Sequence, residues 1–255
     1  MRLDSAAVRT GFRLLALGET GSTNAHALAC ARAGERGPLW ITAQTQTAGR
    51  GRRGREWTSQ SGNLFATLLL TDPALPGDVA QLSFVASLAV HDAIADCAPM
   101  LGPRLALKWP NDVLCGGAKL CGILLEGEGD SVVIGIGVNC ISHPRSTAYP
   151  AIDLAAAGAH VTPDDLLAAL SRAMVTRLGQ WQRGEGFGSI RADWLRRARG
   201  IGERILVRLQ DREISGRFEA LDARGQLVLR LADGRDERVV AGDVFPLHDL
   251  DERSA

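Results

Sequence analysis

The sequence predicts an α+β fold, with helices on a mixed or antiparallel sheet and a small antiparallel barrel after it. Three observations predict this. Strand-like and helix-like stretches are interleaved without strict β-α-β alternation. The later strands of the first part pair as hairpins. After Gly200 the texture changes to short alternating strands with turns roughly 8–12 residues apart. A boundary near residue 200 therefore divides the chain into 1–200 and 201–255.

The elements follow in order. "FRLLALG" (12–18) reads as a strand, and "STNAHALACARAG" as a helix capped by Ser22 or Thr23. "PLWITAQ" (38–44) is a strand, and "NLFATLLL" (63–70) is apolar enough to be a central one. Residues 78–98 carry apolar side chains at 3.6 spacing and predict a long helix. "RLALKW" is a strand that ends at Pro110. "KLCGILLEGEG" and "SVVIGIGVNC" form a hairpin turning at Gly127–Gly129. Two helices follow, from Pro163 to about Gln182 and from Phe187 to about Arg199. Turns at 210–212, 223–225 and 232–234 then punctuate the barrel strands.

Composition narrows the function. The chain has 255 residues, 45% apolar and 23% charged, with zero formal net charge. Bulk electrostatics therefore give no reason to bind nucleic acid. Five scattered cysteines with no C-x-x-C suit a reducing cytosol and argue against a disulfide framework or a zinc site. The start lacks a long apolar core and no apolar run nears the ~20 residues of a membrane span. The expected location is cytoplasmic. Of 29 basic residues only two are lysines, Lys108 and Lys119. A position that resists arginine in such a chain is one where a narrow point charge must reach a tight place.

The densest signal is "QTAGRGRRGREW". Gly49 to Arg55 holds three glycines and four arginines in seven positions. Gly49, Gly51 and Gly54 spell G-x-G-x-x-G, and Asp72 lies near the distance a dinucleotide fold expects. That reading needs Gly54 to open a helix, and a turn-rich stretch and a strand follow instead. A phosphate loop of the G-K-[ST] kind fails outright. An RNA-binding module would use these arginines on phosphates, but it also calls for a basic face that the neutral balance does not supply. What fits is an anion-gripping loop. Glycine N–H groups approach the ligand, guanidiniums neutralise phosphate, and Trp57 offers a flat face.

Two further segments match. "KWPNDV" sets Lys108, Asn111 and Asp112 around Pro110, and Lys119 follows seven residues after Asp112. An oxyanion-stabilising lysine and an acidic magnesium ligand are what nucleotidyl transfer needs, although Asn and Asp after Pro also make plain turns. "GIGVN" (135–139) places two glycines in a strand, where glycine weakens pairing unless something must come close. A bulge is the alternative.

Together, "GSTN" (21–24), "QTAGRGRRGREW", "KWPNDV", "GAKLCGILLE" and "GIGVN" resemble the signatures of biotin protein ligases, in order and across nearly the whole chain. The resemblance implies a catalytic domain related to class II aminoacyl-tRNA synthetases and an SH3-like C-terminal barrel. It implies that biotin and MgATP give biotinyl-5′-AMP, which acylates a lysine on the biotin carboxyl carrier domain of a carboxylase. Ser22, Thr23, Asn24 and Gln46 would meet the ureido ring. Gly49, Arg50, Gly51 and Arg52 would wrap the carboxyl end and α-phosphate, and Gly122 and Gly135 would leave room for the valeryl chain. Arg53 and Trp57 would face ATP. Asn111, Asp112 and Asn139 would support nucleotide and metal, with Asp112 as the Mg2+ ligand. Lys119, Arg52 and Asp112 would be the catalytic set. Roughly 20 residues before the pattern are too few for a helix-turn-helix domain, so no DNA partner is expected. A homodimer is left open. Lipoate or octanoate ligases are the nearest alternative, with weaker matches expected at "GRGRRGR" and "KWPND".

Overall fold

The computed structural model describes residues 1–145, 147 and 149–247. Seven strands make one sheet: β1 (Arg13–Thr20), β2 (Leu39–Gln46), β3 (Leu64–Thr71), β4 (Leu105–Lys108), β5 (Asp112–Cys115), β6 (Ala118–Glu128) and β7 (Ser131–Val138). Their order is β1-β2-β3-β7-β6-β5-β4. Only β1 and β2 run parallel, and every other neighbour is antiparallel. This is the mixed sheet that the hairpin pattern predicts.

The sheet has two unlike faces. Along β3 and β7 the even-numbered residues Leu64, Ala66, Leu68, Ile134 and Ile136 enter the main core. That core is closed by α3 (Leu82–Cys97), α4 (Pro163–Trp181) and α5 (Phe187–Leu195). Helix α3 is apolar on nearly every side because it is wedged between sheet and helices. Arg177 on α4 ties the layer together, reaching Asp92 and Asp193 at 2.6 Å each. The odd-numbered residues face the other way. There α2 (Thr23–Arg32) covers only part of the sheet, packing Ala27 against Leu39, Ile41, Leu69 and Val133. The uncovered remainder is where the site lies.

The C-terminal strands are β8 (Arg204–Arg208), β9 (Glu213–Leu221), β10 (Leu227–Arg230), β11 (Asp236–Val239) and β12 (Asp243–Pro246). They pair antiparallel in the order β11-β10-β9-β8-β12. Among the described residues these pairings do not include a β11–β12 ladder that would close a barrel. Residues 248–255 of the expected second unit lie outside the described residues. Trp109, fully buried, donates from Nε1 to the Gly225 carbonyl at 3.1 Å and so ties the loop after β4 to the turn between β9 and β10.

Two elements depart from expectation. A short helix α1 (Ser5–Arg9), capped by Asp4, precedes β1. Strand β5 begins at Asp112, where Pro-Asn-Asp reads locally as a turn. It is a strand because Val113, Leu114 and Cys115 are buried between β4 and β6. No helix among the described residues is long and apolar enough to cross a membrane.

Candidate active site

One row of the sheet organises the site. The register sets Lys108 opposite Asp112, Asp112 opposite Gly122, Gly122 opposite Gly137, and Gly137 opposite Phe65. Residues directly opposite on neighbouring strands share a face. A lysine, an aspartate and two glycines thus lie side by side on the uncovered face, above which a cavity of about 380 Å3 opens.

Lys119 joins this row through a bulge. The β5–β6 register steps from Val113↔Cys121 to Leu114↔Lys119, which leaves Leu120 as the extra residue. Simple alternation would put Lys119 and Gly122 on opposite faces. The bulge re-aims Lys119 to the cavity side. Its backbone is held by Lys119 N to Pro150 O at 2.7 Å and Ile152 N to Lys119 O at 3.0 Å.

The result is a triad of charge in which Lys108 and Asp112 are buried and Lys119 is half-buried. Lys119 Nζ lies 2.6 Å from Asp112 Oδ1 and Lys108 Nζ 3.4 Å from Oδ2. Burial alone would raise the Asp112 carboxyl, but Lys119 and Lys108 outweigh it and hold it below the usual carboxylate value. Burial lowers the Lys108 ammonium from its ordinary value, with Asp112 pulling the other way. Lys108 also sits 4.0 Å from the Tyr149 ring centroid and donates to Val244 O at 3.3 Å. Two cations and one anion leave a positive excess beside the cavity, which suits a ligand bearing carboxylate and phosphate.

The glycines are required by their neighbours. A Cβ at Gly137 would meet the Trp57 ring at 2.5 Å, and one at Gly122 would meet it at 2.8 Å and Lys119 Nζ at 3.3 Å. Trp57 therefore lies flat over the floor, 5.6 Å from Lys119 Nζ by its ring centroid. Its Nε1 is buried without a partner. A Cβ at Gly135 would overlap Asn24 Oδ1.

At the other end, polar side chains converge at the start of α2. Ser22 caps that helix, accepting from Ala25 N at 3.4 Å. Gln46 Oε1 accepts from Thr23 N at 2.8 Å and from Thr23 Oγ1 at 3.1 Å. The Thr67 hydroxyl is shared between Thr23 Oγ1 at 2.8 Å and Asn24 Oδ1 at 2.7 Å. Asn24 Nδ2 donates to Glu126 Oε2 at 2.8 Å. Ser22, Thr23 and Asn24 are all buried, and they line the cavity with Gln46. Such a preset array of short donors and acceptors suits a small polar ligand group.

The arginine loop forms the lid. It doubles back as a tight hairpin, with Arg50 bridged to Glu56 and Gly51 N bonded to Arg55 O at 2.7 Å. At its tip Arg53 takes a left-handed backbone, φ 56°. Arg50 reaches Glu126 Oε1 at 3.1 Å, and Arg52 donates to Asn111 Oδ1 at 3.0 Å. Burial lowers the Arg52 guanidinium from its ordinary value, with Asp243 and Asp112 opposing.

A family model described as "Biotin/lipoate A/B protein ligase family" matches residues 28–139, and one described as "Biotin protein ligase C terminal domain" matches residues 200–245. A biotin–[acetyl-CoA-carboxylase] ligase of Paracoccus denitrificans is 42% identical over 241 residues, covering 90% of this chain and 98% of that protein. The chain belongs to the biotin protein ligase family. The biotin protein ligase of Aquifex aeolicus in complex with biotin and ATP superimposes with a TM-score of 0.77 at 26% identity, over 91% of this chain and 97% of that one. That of Leishmania major in complex with biotinyl-5-AMP gives 0.65 at 26%, over 90% and 99%.

Most residues expected from the ligase resemblance meet in the one cavity: Ser22, Thr23, Asn24, Gln46, Arg50, Gly51, Arg52, Trp57, Asn111, Asp112, Lys119, Gly122, Gly135 and Asn139. Two do not line it. Gly49 supports the ligase lid instead, since a Cβ there would meet Ser59 Oγ at 2.5 Å and Trp57 O at 2.6 Å. Arg53, expected to face ATP, points to the C-terminal sheet and pairs with Asp243 at 3.2 Å. The two oxygens of Asp112 face the Lys119 and Lys108 ammonium groups, so it stands here as their buried counter-ion. Asn139 acts partly as a brace, with Nδ2 donating to Ile152 O at 3.0 Å. Residues not anticipated in the ligase site are Gly137, Thr67, Glu126, Tyr149, Asp243 and Phe245. Only Gly137 had a local signal, as the second glycine of "GIGVN".

Proposed function

We propose that the protein activates biotin with ATP to biotinyl-5′-AMP and transfers the biotin to a specific lysine of the biotin carboxyl carrier domain of a carboxylase. The observation that carries this reading is the junction of three features over one glycine floor: the polar array around Asn24 and Gln46, the Lys119–Asp112 pair, and Arg52 in the lid.

The ureido ring of biotin takes the polar array, and the valeryl chain runs on toward Lys119. Its carboxylate then lies where Lys119 and Arg52 concentrate positive charge. A carboxylate oxygen attacks the α-phosphorus of ATP, forming the acyl–phosphate anhydride as the bond to the β-phosphate breaks and pyrophosphate leaves. Both reactants are anions, so the encounter is uphill without a cation placed between them. Lys119, held by Asp112, is preorganised for that place. In the second step the acceptor amine attacks the acyl carbon, an amide forms, and AMP departs. The arginine lid shields the anhydride from water meanwhile. Magnesium enters this reading with the phosphates of its substrate ATP. The polypeptide has no segment suited to a bilayer among its described helices, and a cytoplasmic enzyme fits its free, unpaired cysteines.

The test is biotin-dependent release of pyrophosphate from ATP, compared with lipoate and octanoate, followed by biotin incorporation into a carrier domain. Release with biotin alone supports the reading. Release with lipoate and none with biotin would overturn it.

A further inference from the structure

The C-terminal sheet reaches into the site at β12, and its first residue is Asp243. That carboxylate stands against three guanidiniums of the arginine lid: Arg55 at 2.9 Å, Arg53 at 3.2 Å and Arg52 at 3.9 Å. Arg52 also donates to the Gly242 carbonyl at 3.3 Å. The Asp243 side chain is only 17% exposed, and it lines the same cavity as Lys119 and Arg52. Two residues further along, Phe245 lines the cavity as well, while Lys108 bonds the carbonyl of Val244 between them. So one short strand touches both the lid and the buried Lys108.

The charge count gives the arrangement a direction. One carboxylate cannot neutralise three guanidiniums, so the cluster keeps an excess of positive charge, which Arg52 and Arg55 present to the cavity. A group with several anionic oxygens in one place satisfies such a cluster better than a single carboxylate does. The lid tip also carries Arg53 in a left-handed backbone conformation, which persists only where surrounding contacts hold it. Asp243 supplies two of the contacts that hold this tip.

We propose that Asp243 is a positioning residue of the adenylation site: a resident counter-ion from the C-terminal sheet that clasps the arginine lid until the phosphate of the nucleotide takes over its guanidiniums. This rests on the functional reading above and deepens it. It gives the C-terminal sheet a role in ordering the lid rather than in contacting biotin. The charge is what matters, so a glutamate serves and an isosteric amide does not.

The experiment uses the full chain, as the parent, Asp243→Asn and Asp243→Glu. Trypsin cleavage at Arg50–Arg55 is timed without ligand and with added biotinyl-5′-AMP. Without ligand, D243N is cleaved about fivefold faster than the parent or more, and D243E returns to within about twofold of the parent. With the adenylate bound, parent and D243N are protected to the same extent, because phosphate has replaced the carboxylate. A D243N lid cleaved no faster than the parent's without ligand overturns the clasp. A D243N lid that stays more exposed than the parent's when the adenylate is bound overturns the takeover. If D243N unfolds, judged by its thermal transition, the corresponding comparison is made with Arg55→Gln, which removes the 2.9 Å pair from the lid side, with cleavage scored after Arg50, Arg52 and Arg53 alone in both proteins. The functional reading is judged separately, by biotin-dependent pyrophosphate release from the parent. Its failure there leaves the ligand-free arm free to support or reject the clasp by itself.

Discussion

Lys119 Nζ and Asp112 Oδ1 are 2.6 Å apart, on strands whose register would separate them but for the extra residue Leu120. Asp112 is buried, and its other oxygen faces Lys108 at 3.4 Å. A buried ion pair contributes little net stability, but removing one partner strands a charge at a cost of about 3–5 kcal/mol. Holding Asp112 charged in the core is tolerable because the pair aims an ammonium at the cavity. Its value lies in placement.

That relationship sets a pH dependence. The Asp112 carboxyl is held below its unfolded value, so its ionised form contributes stability above the unfolded pKa, and the contribution is lost as pH falls through the folded one. Asp112→Asn should therefore be strongly destabilising at neutral pH. The gap in thermal stability between parent and D112N should narrow as pH drops below about 4. Melting curves of both proteins between neutral and acid pH check this. A gap that widens in acid contradicts it.

Gly135→Ala pushes a methyl group into Asn24 Oδ1, which also accepts from Thr67 at 2.7 Å. The neighbours must shift at a cost of about 1–3 kcal/mol. Losing one hydrogen bond of the polar array should raise the KM for biotin about fivefold to tenfold, and the KM for ATP much less. Steady-state kinetics with each substrate varied separates the two.

Trp57 Nε1 is a buried donor without a partner. Leaving such a group unmet costs about 1–3 kcal/mol. Trp57→Phe keeps a ring over Gly122 and Gly137 and removes the donor, so the folded protein should gain stability. If a substrate accepts from this N–H, the same change should lower kcat/KM. Thermal melting and kinetics of W57F test both halves.

Arg52 joins the lid to Asn111 at 3.0 Å and is half of the positive charge proposed to face the carboxyl and α-phosphate. Arg52→Gly should weaken retention of the adenylate more than its formation. Bystander proteins mixed with R52G, biotin and ATP should acquire biotin on exposed lysines. Labelling confined to the carrier domain would remove Arg52 from that role.

Much of the fold is legible in the sequence because its signals are local. Ser22 caps α2, Pro163 starts α4 behind Thr162, and the hairpin of β6 and β7 shows as two apolar runs around glycines. The turn of that hairpin sits at Gly129–Asp130, slightly later than the glycines alone suggest. Strand β5 was illegible because Pro110-Asn111-Asp112 carries turn chemistry, while burial between two neighbours decides its conformation. The site divides in the same way. Clustered lysines, glycines and arginines announce themselves by composition. Asp243 does not, since "AGDVF" looks like any turn entering a strand and its meaning comes from a contact across 188 residues to Arg55. Glu126 is silent for the same reason, as it meets Asn24 and Arg50 only through the sheet. Spacing alone would also have turned Lys119 away from Gly122, and only the bulge puts them together.

The central claim is that one ammonium, aimed by one buried carboxylate, lets the carboxylate of biotin meet the α-phosphate. Its most direct test is the single-turnover rate of biotinyl-5′-AMP formation by Lys119→Ala, with saturating biotin and ATP and with folding verified by melting. The account predicts a fall of about 10²–10³ in that rate. An undiminished rate in the folded variant would contradict it.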